Sequence, residues 1–465
     1  MGISKYTEAE TEGFYDSEDS LYRSFWDSEG SLHWGYFDNL ATESQNEFLP
    51  ACKRWNSIML QRSGITDSSR VLDMGCGNGN AAVWLAQQTG CEVVGIDISQ
   101  VRIDNAQNLV KDYPGLNISF KKASATNLPF ETGAFTHVWS QATLYHVHDR
   151  IRALEEIHRV LEEGGTFLFD DLVTPRSEIS ESSRRYVYER LLFEPTFSQE
   201  SYTENLGTLG LMVLEATNLS LHLRKSYQLL SQLALPHYPD LNGAYTKMCE
   251  AIDKQDLGWS FYLCKKVSDR LSWIYETSDK QSLEKKYDAW SGLYDSELDR
   301  SYRVSPIQSA QALTKVLSNK QASILDAGAG TGMVGETLAE LGYTNITAVD
   351  LSSEMLKIAE KKQVYQALYQ GDLQQTLDFA QPSSFDAIIS VGVFTYGHVE
   401  PQALHNLFDL LKSGGYFVLT VRVDYYESNE SLQQIIDELS WNLCDRVEFN
   451  IFDTESMYAL IFQKK

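Results

Sequence analysis

At 465 residues the chain exceeds what one ordinary hydrophobic core serves, so two or three domains are expected. Its 43% hydrophobic and 22% charged residues are those of a soluble globular protein. The formal net charge of −25 repels phosphate backbones, and the short Lys285-Lys286 and Lys361-Lys362 pairs are no basic patch, which excludes a nucleic-acid partner.

Residues 1–45 are rich in Tyr, Trp, Asp, Glu and Ser without clean periodicity. The apolar spacing from Leu49 to Ser63 predicts an amphipathic helix. Strands and helices then alternate: strand 70–74, glycine turn, helix 80–89, strand 92–96, helix 99–112, strands 117–121 and 135–140, helix 149–162, strand 165–170. This rhythm predicts a parallel, doubly wound sheet covered on both faces. Gly164-Gly165 is expected to form the left-handed cap of the last helix. A charged stretch, 174–200, precedes a helix near 201–209, a strand near 212–219, one long helix over 224–254 and a strand over 258–266. An insertion after the fifth strand sits where such folds bind ligands. Polar residues 268–284 read as a connection between domains at 1–270 and 285–465.

The second half repeats the order more compactly, with strands at 323–327, 345–349, 365–369, 385–390, 415–421, 446–452 and 457–463. Gly414-Gly415 is the counterpart of Gly164-Gly165. Lacking the insertion, this half should have a smaller or more open pocket.

Six cysteines, at 52, 76, 91, 249, 264 and 444, show no CxxC and no metal-ligand spacing, so reduced thiols and no metal are expected. The N-terminal residues lack an apolar signal region, and Tyr6 stands where myristoylation needs Ser or Thr. No apolar run is long enough to span a bilayer, so a cytoplasmic location with no membrane partner is expected. The oligomeric state is left open.

A glycine-rich signature occurs twice, as Val-Leu-Asp73-Met-Gly75-Cys-Gly77-Asn-Gly79 and Ile-Leu-Asp326-Ala-Gly328-Ala-Gly330-Thr-Gly332. In each copy a second apolar run ends in an acid, Asp97 or Asp350, 24 residues after the first, and the whole constellation recurs at an offset of 253. A repeat this long means two domains of one kind. Glycines between a strand and a helix let a ligand approach the backbone where any Cβ would collide. An acid ending the next strand takes ribose hydroxyls. Asp73 and Asp326, two residues before the first glycine, would repel a pyrophosphate but organise an ammonium, which points to S-adenosylmethionine.

On these residues both halves resemble class I S-adenosylmethionine-dependent methyltransferases: α/β, Rossmann-like, with mostly parallel doubly wound sheets. The resemblance implies that Asp73, Gly75 and Gly77 face methionine, Asp97 the ribose and Ile98 the adenine. In the second half these roles fall on Asp326, Gly328, Gly330, Asp350 and Leu351. The acid that the family often presents to the adenine amine is kept at Asp372, whereas the first half has Ala123-Ser124-Ala125 there. Phe14-Tyr15, Tyr22, Phe25-Trp26 and Leu32-His33-Trp34-Gly35-Tyr36, with Trp139-Ser140-Gln141 and Tyr145-His146, resemble sarcosine/dimethylglycine N-methyltransferases. Lys286-Tyr287-Asp-Ala-Trp290 and Tyr294-Asp295 resemble the leading segment of other small-molecule methyltransferases.

The expected partner is a small-molecule acceptor, an amine first. His146, with an ordinary pKa of about 6.5, suits deprotonation near neutrality, and Tyr22 or Tyr15 would hold or relay the proton. By position the second half has Tyr396 in place of His146, while His398 matches His148. The expected function is therefore sequential N-methylation of a small amine or amino acid. Its alternatives are O- or S-methylation of a specialised metabolite, and one catalytic half with a regulatory or dimerising partner.

Overall fold

Short runs such as Val71-Leu72 and Val93-Val94 are apolar on both pleats, so their strands are stable only when covered on both faces. The computed structural model describes residues 4–26, 33–276, 279–297, 303–452 and 455–465. It divides into two compact units, Met1–Ser268 and Asp269–Lys465, each with one seven-stranded sheet.

The first unit begins with α1 (Glu8–Phe25) and α2 (Phe48–Ser63). The alternating part follows: β1 (Arg70–Met74), α3 (Asn80–Thr89), β2 (Glu92–Asp97), α4 (Gln100–Leu109), β3 (Ile118–Lys122), β4 (Phe135–Gln141), α5 (Arg150–Val160) and β5 (Leu161–Val173). Next come β6 (Leu211–Asn218) and β7 (Gly258–Lys266), and the spatial order is β3-β2-β1-β4-β5-β7-β6. Only β7 runs antiparallel to its neighbours, β5 and β6. The order reverses between β1 and β4, which pair Asp73 with Trp139, and a crevice opens beyond their carboxyl ends. Alternate residues of each strand feed opposite layers. Val71, Val93 and Trp139 join Trp55 and Leu85 on one face, while Leu72, Val94 and Val138 join Leu154 and Ile157 on the other.

Two expectations fail here for local reasons. Residues 224–254 are two helices, Ser220–Ala234 and Pro239–Asp253, because Pro236 and Pro239 lack the N–H donors a continuous helix requires. Gly164-Gly165 does not cap α5, which ends at Val160 before an extended Leu161. Gly164, with φ +72°, lies inside β5, where pairing jumps from Phe135–Leu161 to His137–Thr166. The glycines carry a bulge instead.

The second unit repeats the order with β8 (Ile324–Ala327), β9 (Ile346–Asp350), β10 (Ala367–Gln370), β11 (Phe385–Ser390), β12 (Leu411–Arg422), β13 (Trp441–Phe452) and β14 (Glu455–Lys464). They are arranged β10-β9-β8-β11-β12-β14-β13, with β14 antiparallel to both neighbours. Arg270–Tyr275, within the stretch expected to be a connection, is helical, and Lys280–Glu297 forms the leading helix of this unit. Gly414 lies in β12 at the same kind of register jump as Gly164.

Candidate active sites

In the first unit the turn after β1 is closed by Gly75 and Cys76, whose N–H groups both donate to the Ile96 carbonyl at 2.8 and 2.9 Å. Gly75 has φ +78°, and a Cβ there would lie 2.2 Å from Thr143 Oγ1, on the loop after β4. Only glycine lets the two loops meet. Gly77 is the complementary case: its φ is +52° and a Cβ would meet nothing within 4 Å, because that side faces open space. Its N–H donates to Asp97 Oδ2 at 3.0 Å, and Ser99 N–H donates to Asp97 Oδ1 at 2.8 Å.

A cavity of about 130 Å³ lies over this turn. It collects Tyr15, Asp73, Gly75, Gly77, Asp97, Ile98, Ala125 and His146 from the expected set, together with Glu8, Arg102 and Ala123. Ser124 does not line it, and donates from Oγ to Glu8 Oε1 instead. Tyr22 belongs to α1, but its side chain lies outside the described residues.

Asp73 is 3% exposed and its Oδ2 has no hydrogen-bond partner. Burial first, and the Asp97 charge second, push its carboxyl up to about 7. His146 is 9% exposed with both ring nitrogens unpartnered, its ring centroid 5.0 Å from that of Tyr15 and 3.9 Å from that of Tyr145. Burial, then the Arg102 and Arg150 charges, hold its pKa well below 6.5. This corrects the expectation of a histidine poised near neutrality: the ring is neutral and a weak base.

Helix α1 is the wall that closes the cavity. Asp19 accepts from Asn78 Nδ2 in the glycine turn at 3.0 Å and faces Arg102 Nε at 3.4 Å, while Ser99 Oγ donates to Asp16. The Arg102 guanidinium lies 3.9 Å from the Tyr15 ring centroid, a cation–π contact.

The second unit uses the same frame. Gly328, with φ +81°, would place a Cβ 2.2 Å from Val393, while Gly330 faces open space and donates to Asp350 Oδ2 at 2.7 Å. Ser352 Oγ donates to Asp288 of the leading helix, and Thr331 Oγ1 to Asp295. Two cavities, of about 160 and 350 Å³, meet Gly328 and Gly330; Asp350, Leu351 and Asp372 line the larger. The pocket space is thus no smaller than in the first unit. There α1 and the turn carrying His146 press in on the cavity; here two cavities remain beside the leading helix.

Asp326 lines neither cavity. Tyr365 O–H donates to its Oδ2 at 2.6 Å, leaving Oδ1 buried and unpartnered, and burial pushes its carboxyl up to about 7. In the first unit Phe120, which has no hydroxyl, fills the space beside Gly79 that Tyr365 fills beside Gly332.

Sequence reasoning missed a pair. Tyr287, at the place of Tyr15, lies 2.7 Å through its hydroxyl from His398 Nε2, and His398 Nδ1 lies 2.9 Å from the Tyr396 carbonyl. The carbonyl requires an N–H at Nδ1, so Nε2 accepts the Tyr287 proton. Tyr396, the positional match of His146, is 45% exposed and rests edge-on against Tyr425. The shared Tyr-Asp of the two leading segments was the available signal.

Residues 72–169 and 325–419 match the methyltransferase domain family. A glycine/sarcosine/dimethylglycine N-methyltransferase of Actinopolyspora halophila is 32% identical over 185 residues, 39% of this chain. That match spans only 32% of the relative's own length. The O-methyltransferase resE of Aspergillus sclerotiorum is 27% identical over 219 residues, 47% of this chain and 83% of the relative. A Galdieria sulphuraria protein provisionally described as a sarcosine dimethylglycine methyltransferase shares the fold, with TM-score 0.50 and 21% identity over 54% of this chain and 99% of that one. The fold is α/β and Rossmann-like, as in the methyltransferase structures it resembles. The methyltransferase domain model matches once inside each of the two units.

The residues fit the cofactor. The unpartnered Asp73 Oδ2 suits an ammonium, the open face of Gly77 admits a chain against the backbone, and Asp97 stands where a ribose would be held. When bound, S-adenosylmethionine supplies an electrophilic methyl group. A carboxyl of pKa about 7 attracts an ammonium only once ionised. Raised above its unfolded value, it contributes stability to the empty fold at low pH that is lost as pH rises through about 7. Calorimetric affinity for S-adenosylhomocysteine is therefore expected to rise by up to about tenfold from pH 6 to 8, and Asp73→Asn to flatten the first site's share. A pH-independent affinity in the unaltered chain would refute this role.

Among the described residues no helix is long and apolar enough to cross a membrane, and no cluster of His, Cys, Asp and Glu could hold a metal ion.

Proposed function

We propose that the chain methylates a small amine, with each half binding its own cofactor and the two acting on successive N-methylations. The observation behind the amine is His146. It is buried and neutral with both ring nitrogens unpartnered, so it offers an acceptor for an N–H beside the cradle formed by Asp73 and Gly77. Glu8, Asp73 and Asp97 against the single Arg102 make the cavity wall net acidic, which favours a cationic acceptor over an anionic one. The N-methyltransferase relative supports the same reading.

His146 acts by orienting the acceptor and receiving its proton as the nitrogen's lone pair is committed. Its low basicity places the effect at the weak end of general-base contributions. His146→Ala is expected to lower turnover at the first site by about 10²-fold with S-adenosylhomocysteine affinity unchanged. Labelled methyl transfer to a panel of amines, alcohols and thiols, run on the full chain and on its Asp97→Ala and Asp350→Ala variants, tests the reading. Transfer to hydroxyl or thiol acceptors with none to amines would overturn it.

A further inference from the structure

The two cofactor pockets present a carboxylate at the same end, but from different parts of the fold. Beside Asp97 the first cavity is lined by the apolar Ile98, Ala123 and Ala125. Glu8, in the first turn of α1, lines the same cavity. Its Oε1 accepts from Ser124 Oγ at 2.5 Å and from Thr126 Oγ1 at 3.1 Å. Two hydroxyls thus orient the carboxylate, and a carboxylate has lone pairs for more donors than two.

In the second unit the residue at the position of Glu8 is Lys280. Glu8 and Lys280, Tyr15 and Tyr287, and Asp16 and Asp288 are each 272 positions apart, so the two leading helices share one register. The contacts agree, because Asp16 and Asp288 take the hydroxyl protons of the equivalent serines, Ser99 and Ser352. The residue matching Ser124, two places after the third strand, is Asp372. Lys280 Nζ lies 2.6 Å from Asp372 Oδ2, and Gln374 N–H donates to Oδ1 at 3.0 Å. The pair has been exchanged across the pocket: Glu on the helix and Ser on the sheet in the first unit, Lys on the helix and Asp on the sheet in the second.

We infer that Glu8, carried by the closing helix, is the acceptor for the exocyclic amine of the cofactor's adenine in the first site, the task that falls to the sheet-borne Asp372 in the second. The exchange accounts for Ala123-Ser124-Ala125, which lacks an acid where the second unit has one. It also makes the first site different in kind. Its base-reading group arrives only when α1 is docked, so docking of the helix and retention of the cofactor reinforce one another. In the second site the acid belongs to the scaffold, and the helix contributes a cation that balances it. None of this depends on which acceptor atom is methylated.

The test compares S-adenosylhomocysteine with S-inosylhomocysteine, in which the amine donor is replaced by a carbonyl. Calorimetry on the full chain reads the first site in an Asp350→Ala background and the second in an Asp97→Ala background. The first site is expected to prefer the adenine ligand by tenfold or more, and Glu8→Gln to bring the preference within about twofold. Glu8→Gln combined with Ser124→Asp should restore it. The second site should ignore Glu8→Gln and lose its preference with Asp372→Asn. A merely structural Glu8 would weaken both ligands equally and leave the ratio untouched, and that result overturns the assignment. So does an unaltered first site that binds both ligands alike, or a Ser124→Asp change that fails to restore the ratio.

Discussion

Asp97→Ala is expected to remove one of two S-adenosylhomocysteine sites per chain in a calorimetric titration, and Asp350→Ala the other. Each acid ends the second strand of its sheet and is aimed by two backbone donors, Gly77 and Ser99 in one unit, Gly330 and Ser352 in the other. A carboxylate held this way meets two neighbouring hydroxyls without reorganising. Hydrogen bonds to a charged group contribute about 1.5–3 kcal/mol each, so losing two weakens binding by roughly 10²–10⁴-fold. The substitution also strips the glycine turn of an acceptor for its own N–H, which adds to the loss. Asp97→Asn separates the two effects, because the amide keeps an acceptor for Gly77 and surrenders the charge. If one substitution abolishes all binding while the other changes nothing, a single half holds the cofactor and the other is a relic.

In both halves an acid of the leading helix meets the glycine turn, from positions four residues, about one helical turn, apart in the shared register. Asp19 reaches Asn78 and Asp295 reaches Thr331, the residues between the second and third glycines of the two motifs. An acid on a helix is thereby bound to the loop that would cradle the cofactor, and the loop's side-chain hydrogen bonds are complete only with the helix in place. The closing helix is part of the site's construction, not a cover laid over a finished pocket.

Much of this could be read from the residues. Period-two and continuous apolar runs placed the strands, and the doubled glycine motif located both strand-to-helix turns, since their geometry is local to a few consecutive residues; that Asp326 would line neither cavity was not legible there. What escaped was set by three-dimensional meeting. Pro236 and Pro239 marked the break in the predicted long helix, but apolar spacing on either side outweighed them. Gly164-Gly165 had the composition of a helix cap, and only the register jump between β4 and β5 shows a bulge. The pKa of His146 depends first on its burial and then on Arg102 and Arg150, which arrive from α4 and α5. The exchange of Glu8 for Lys280 was invisible because its partners, Ser124 and Asp372, lie more than ninety residues away in sequence.

Tyr287→Phe is expected to lower methyl transfer by the second half by 10²–10⁴-fold, the range for a lost general base, while its affinity for S-adenosylhomocysteine stays unchanged. Tyr287 lines the cavities beside Gly328 and Gly330, so an acceptor there can donate its proton to the phenol oxygen as the phenol proton passes to His398 Nε2. The imidazolium so formed keeps its Nδ1–H on the Tyr396 carbonyl, which offsets part of its burial. Burial pushes the Tyr287 phenol well above its ordinary pKa, so it serves as a relay and not as a standing phenolate. The two groups act as one unit, and His398→Ala should therefore match Tyr287→Phe, with the double variant no worse than either. His398→Gln, which keeps an acceptor but takes up no proton, should hold Tyr287 in place without restoring the rate. Single-turnover rates for the variants in an Asp97→Ala background, where only the second site is filled, decide the matter. Additive losses, or full activity in Tyr287→Phe, would show that the proton leaves by another route and that the pair only holds the leading helix shut.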